Sequence, residues 1–116
     1  MPPPPDPDRL LVAQLFGTAR HHARYQEPTE DETAAAVAEL QAITRRPDLL
    51  AEVAGILIGA HAGKLDEARA KVAAGYCIAA GADPEAVQWW VARGKERRAL
   101  ADLPPFGEGR IGAPGF

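Results

Sequence analysis

The chain has 116 residues, a formal net charge of −3 and 47% apolar residues, enough for one domain with a thin core and too acidic overall for a general polyanion binder. It contains no serine, no asparagine and one cysteine, Cys77. A serine nucleophile, an N-glycosylation acceptor, an internal disulfide and a four-cysteine zinc site are therefore excluded.

The opening MPPPPDPD is a proline-rich lead (residues 1–8) without the basic and apolar regions of a signal peptide, and the expected location is cytoplasmic. Asp6-Pro7 has the form of an N-cap followed by the first helical residue. The first helix is predicted over Pro7–Tyr25, with Leu11, Val12, Leu15, Phe16, Ala19 and Ala23 on its apolar stripe. Arg20, His21, His22 and Arg24 crowd its last turns, where positive charge suits the helix dipole.

Gln26 to Pro28 reads as a turn. Thr29-Glu30-Asp31-Glu32 is a capping box, with Thr29 as cap and Glu32 reaching back. The second helix turns Ala36, Val37, Leu40, Ile43 and Thr44 inward and is expected to end at Arg45-Arg46, before Pro47.

The most apolar stretch is Asp48–Gly63, DLLAEVAGILIGAHAG, with Asp48 read as its N-cap and Gly63 as its terminating residue. Leu50, Val53, Leu57 and His61 form one face, Leu49, Ile56 and Ala60 another, and Ile58 a third. So wide an apolar surface requires several neighbours. Gly55, Gly59 and Gly63 recur every four residues. The run is shorter than the roughly 20 residues of a membrane span and is interrupted by Glu52, so the glycine stripe reads as a close helix–helix contact within one soluble domain.

Lys64-Leu65 is a short turn and Asp66 the expected cap of a fourth helix over Glu67–Ala80, with Val72, Tyr76, Ala79 and Ala80 inward and Cys77 beside them. Gly63 to Ala68, GKLDEA, resembles the turn within a tetratricopeptide repeat, but no second copy stands at the 34-residue offset an array needs. Gly81 ends the helix, and Asp83-Pro84 starts a fifth, which carries Val87, Trp90, Val91 and Gly94 inward and reaches about Ala101. Residues 103–116, which contain the Pro/Gly-rich PPFGEGRIGAPGF, form a tail. No alternating β pattern is present. The expected architecture is all-α, a compact bundle of five short helices over residues 9–102.

Trp89 and Trp90 lie about 100° apart on a helix, so they cannot both face one core. Trp90 fits the stripe of Val87 and Val91, which leaves Trp89 at the edge or outside, unless the tail folds back over it through Pro104, Pro105 or Phe106. An exposed tryptophan is suited to anchor a partner. Tyr76–Gly94 also resembles a helix-turn-helix, which would bring Gln88, Trp89, Arg93, Lys95, Arg97 and Arg98 near nucleic acid. Against it, Asp83 and Glu85 at the reading end repel phosphate, and the cations sit where a helix C-terminus attracts them anyway. His21, His22, His61 and Cys77 lack metal-ligand spacing, and Glu30, Asp31 and Glu32 are explained as helix-start charges, so no cofactor, metal or catalytic group is expected.

The blocks HHARYQEPTEDETAAAVAEL, LLAEVAGILIGAHAG and AAGADPEAVQWWVARGKERRA resemble small uncharacterised helical proteins of actinobacteria over about residues 10–103. That resemblance implies a helical fold and carries no activity and no site residues. The function expected from the residues is a non-enzymatic interaction module, acting through a protein partner or self-association, with Trp89, Arg93, Arg97 and the tail as contacts. The alternative is a helix-turn-helix DNA-binding protein.

Overall fold

A computed structural model describes the backbone of residues 6–101 and the side chains through residue 96. The readings made for the lead residues 1–5, for the tail, and for the side chains of Arg97 and Arg98 lie outside these described residues. The chain forms α1 (Pro7–His22), α2 (Glu30–Ile43), α3 (Pro47–Ala60), α4 (Glu67–Ala79) and α5 (Pro84–Ala101), and no strand is present among the described residues. The all-α expectation of five helices therefore holds.

Local chemistry explains most of the helix starts. Asp6 caps α1 by accepting from the Asp8 amide at 2.9 Å, with Pro7 as the first helical residue. The Thr29–Glu32 box is formed in both directions, at 2.9 and 3.1 Å. Asp83 accepts from the Ala86 amide at 3.1 Å and starts α5. Two expected caps are corrected. Pro47 rather than Asp48 begins α3, so the cap position falls on Arg46, and Asp48 enters the first turn, where its carboxylate takes the Arg46 guanidinium at 2.7 Å. Asp66 stands at the cap position of α4, but its side chain makes no capping bond; it is buried beside His61 instead.

Helix ends are also shorter than the periodicity implied. α1 stops at His22 rather than Tyr25, because Ala23 is extended and Arg69 of α4 takes the carbonyl oxygens of Ala23 and Arg20 at 3.2 and 3.0 Å. α2 stops at Ile43, and Thr44 is extended with its hydroxyl accepting from the Arg46 amide. α3 ends at Ala60, and Gly63 then turns the chain with a φ of 77° that other residues rarely adopt. α4 ends at Ala79, with Ala80 as its cap.

α3 lies in the middle. It packs against α1 and α4 on one side and α5 on the other, while α2 packs on α1 and α4. Leu15, Leu40, Leu50, Val53, Leu57, Tyr76 and Cys77 are the large buried side chains, and alanines from all five helices and their turns fill the space between them. Glu52, which interrupts the apolar run in sequence, is buried and gripped bidentately by Arg9 of α1 at 2.6 and 2.7 Å.

α5 is attached differently. It runs parallel to α3: the Asp83 amide donates to the Pro47 carbonyl at 3.2 Å at one end, and Gly94 meets Gly59 and Ala60 at the other. The glycine stripe makes this possible. A methyl group on Gly55 would stand 2.7 Å from the Val87 carbonyl oxygen and would overlap Trp90 Cβ. One on Gly59 would overlap the Val91 carbonyl oxygen, and one on Gly94 would stand 3.0 Å from the Ala60 nitrogen. The expected close contact within the domain is thus present at Gly55 and Gly59, with α5 as the approaching helix, whereas Gly63 lies past the end of α3 with nothing near an added methyl. Among the described residues α5 packs substantially on α3 alone.

Two predictions follow from this packing. Gly59→Ala must push two backbones apart and is expected to destabilise by about 1–3 kcal/mol. Gly75→Ala, in the exposed middle of α4 with no atom near the new methyl, is expected to stabilise by about 0.5–1 kcal/mol; urea unfolding of the two variants measures both. Burial pushes the Cys77 thiol up to about 12. An unfolded thiol ionises near ~8.5, so this group leaves stability unchanged below that pH and lowers it progressively from there towards 12, as the unfolded state releases a proton the folded state retains. At pH 8 the native protein should resist a thiol reagent that labels Cys77 promptly in denaturant.

Candidate functional site

Among the described residues α5 is held on one side, by α3, and its other side faces solvent. On α5 the seam against α3 takes Val87, Trp90, Val91 and Gly94, and the opposite face carries Glu85, Trp89, Ala92, Arg93 and Glu96, all exposed. Trp89 is 54% exposed, whereas Trp90 is half-buried. The division expected from their 100° separation is therefore the one observed. The reading in which the tail covers Trp89 concerns residues outside those described.

The exposed indole is held in place. The Trp90 ring meets it edge-on, with centroids 4.8 Å apart and planes at 85°. The Arg93 guanidinium carbon lies 4.8 Å from the centroid of Trp89, a cation–π contact between residues four apart on one helix. Arg93 also reaches Glu96 at 3.3 Å. This combination fixes an aromatic surface at little further entropic cost, which is the property of an anchoring residue.

Of the residues expected at a contact, Trp89 and Arg93 are brought together. Gln88 is exposed on the adjoining edge of the helix. Lys95 is also exposed, but its backbone nitrogen lies against Gly59, which sets it at the margin of the seam rather than beside Trp89. Arg97 and Arg98 belong to α5 by backbone. Three residues of the stripe carry no contact role in the sequence reading: Glu85, Ala92 and Glu96. Glu85 entered there at the reading end of the helix-turn-helix, as a charge that repels phosphate, yet the four-residue spacing of Glu85, Trp89 and Arg93 is itself the signal of a shared face.

The helix-turn-helix geometry finds less support. In that motif two short helices pack on each other; here α4 and α5 make little mutual contact among the described residues, and α5 lies on α3.

Two other features stand apart from this face. A shallow, mostly apolar groove of about 320 Å³ lies between the start of α2 and α4, lined by Pro28, Thr33, Lys71, Val72, Gly75 and Tyr76. At the α3–α4 turn, His61 Nδ1 lies 3.3 Å from an Asp66 carboxylate oxygen, and both residues are buried. The Asp66 carboxylate also faces Arg20, whose pKa is lowered first by burial and then by its neighbour Arg69, with Asp66 acting in the opposite sense. His61 was expected on the apolar face of α3; it lies instead one residue past Ala60, as the C-cap of that helix, and is buried beside Asp66.

No protein-family model, curated protein or solved structure matches the chain. No helix among the described residues is long and apolar enough to cross a membrane.

The geometry of the two tryptophans sets a direct expectation. Trp89 fluorescence should be readily quenched by acrylamide in the folded protein and Trp90 much less so. Trp89→Phe should remove the more accessible component and leave the helical circular dichroism unchanged.

Proposed function

We propose that this chain is a non-enzymatic interaction module, an adaptor or accessory unit that binds protein through the outer face of α5. The observation that carries the proposal is the Trp89 ring: more than half exposed, at the outer pole of a helix that among the described residues packs substantially on α3 alone, and braced by Trp90 and Arg93. Tryptophan and arginine are enriched among the residues that dominate binding energy, and a pre-positioned pair loses little freedom on contact. Gln88, exposed on the adjoining edge of α5, borders the proposed surface. The proposal assigns no reaction and no cofactor.

The face is better suited to protein than to nucleic acid. Glu85 and Glu96 flank Trp89 on the same side of the helix, and both would repel the phosphates that supply most nucleic-acid affinity. A protein surface can meet such a mixed stripe with opposite charges around an apolar centre.

A photoreactive residue at Gln88, compared with one at Ala38 on the exposed side of α2, tests this reading in cells. Protein adducts from position 88 and few from position 38, lost when Trp89→Ala is added, are expected. Equal labelling from both positions, no protein adduct, or adducts with nucleic acid alone would overturn the proposal.

A further inference from the structure

We infer that the occupant of this face is a second copy of the same chain, docked α5 against α5 in antiparallel fashion about a two-fold axis. The inference rests on the reading of α5 as a protein-binding face and names its partner. Along the outer stripe the order is Glu85, Trp89, Arg93: negative, aromatic, positive, at successive intervals of four residues. Reversed by a two-fold axis, that order becomes positive, aromatic, negative, which is its own complement. Crossing near Trp89 therefore puts the two indoles together at the centre, with Glu85 of each copy within reach of Arg93 of the other. A two-fold contact of this kind uses one surface patch twice and closes on itself, so it gives a dimer and not a filament.

The local structure is prepared for the exchange. Arg93 and Glu96 form an ion pair in which both side chains are about half exposed, an arrangement that contributes little by itself. The guanidinium has five N–H donors, so it can keep its place over Trp89 and accept a second carboxylate without leaving the first. Ala92, between Trp89 and Arg93 on the exposed side, is small enough to let the helices approach. α5 is 18 residues long, roughly 27 Å at 1.5 Å per residue. One helix face of that length buries less than the ~800 Å² per partner of a standard stable interface. The association is accordingly reversible and concentration-dependent.

Sedimentation of the full chain between ~5 and ~500 μM tests the inference. The average mass should rise with concentration from the 12.3 kDa of one chain towards twice that value. Because symmetry enters each change twice, Glu85→Arg alone or Arg93→Glu alone should weaken association at least tenfold, and the double variant E85R/R93E, which restores opposite charges across the axis, should recover most of it. Trp89→Ala should abolish it. Circular dichroism and urea midpoints of each variant show whether the exposed substitutions leave the fold intact. A monomer throughout the range overturns the inference, as does a dimer indifferent to both single charge reversals. The cellular crosslink separates the two levels: an adduct of twice the chain mass supports both, an adduct only with a different protein overturns self-pairing and leaves the interaction module standing, and no protein adduct removes both.

Discussion

The rest of this structure depends on the contact of two backbones across the glycines of α3. At Gly55 and Gly59 the surface of α3 has no side chain, and α5 fills the notch with its own main chain at Val87, Val91 and Gly94. The stabilisation comes from many short dispersion contacts and from apolar surface removed from water, with the Asp83 amide–Pro47 carbonyl bond fastening one end. Such contacts fall off steeply with separation, so the position of α5 is determined within a fraction of an ångström by which residues of α3 are glycine. That position in turn decides which side of α5 meets solvent. The exposed tryptophan is a consequence of the glycine notch.

The opposite side of α3 is organised by side-chain volume and by a few polar fastenings. Leucine, valine and tyrosine fill the space towards α1, α2 and α4. Arg9 and Glu52 tie α1 to α3, Arg46 holds both Asp8 and Asp48, and Arg69 closes the end of α1 through two carbonyl oxygens. Ion pairs of this sort contribute less to stability than their number suggests, because desolvation offsets much of the attraction. Their effect is on angle and register: apart from Arg46–Asp48, which lies within the start of α3, each joins the end of one helix to a specific point on another. The buried His61–Asp66 pair belongs to this group, at the turn where α3 hands over to α4.

A small domain with an alanine-rich core has little surface to spare for a deep cavity. The groove beside Tyr76 is shallow and shares its lining with the core. The outer face of α5 differs in being built of residues that contribute little to the fold, so they are free to serve a contact. The same reasoning explains why an acidic chain can carry a mixed stripe there: opposite charges around an indole limit non-specific association while permitting a defined one.

Much of this was legible in the residues because it is local. The Thr29–Glu32 box, Asp6-Pro7 and Asp83-Pro84 are short-range bonds within one turn, and they start helices where the sequence says. The breadth of the apolar surface on α3 called for neighbours on several sides, and the 100° between adjacent helix positions separated Trp89 from Trp90. Asp48 and Asp66 look equally able to cap a helix, yet side chains close by draw them off, Arg46 two residues before the one and His61 five before the other. Other features depend on partners far away in the chain. α1 ends early because Arg69, some fifty residues on, takes its carbonyls. Glu52 looks like a break in an apolar run until Arg9 is placed beside it. The glycine spacing announced a close approach but could not name the approaching helix, since a notch accepts any backbone that fits. Sequence by itself determined five helices and most of their apolar stripes; only the tertiary structure decided that α4 buries Ala70, Ala73 and Ala74 rather than Ala79, and that among the described residues α5 packs substantially on α3 alone and turns Glu85, Trp89 and Arg93 outward, because periodicity encodes the faces of a helix and not which other helix will cover them.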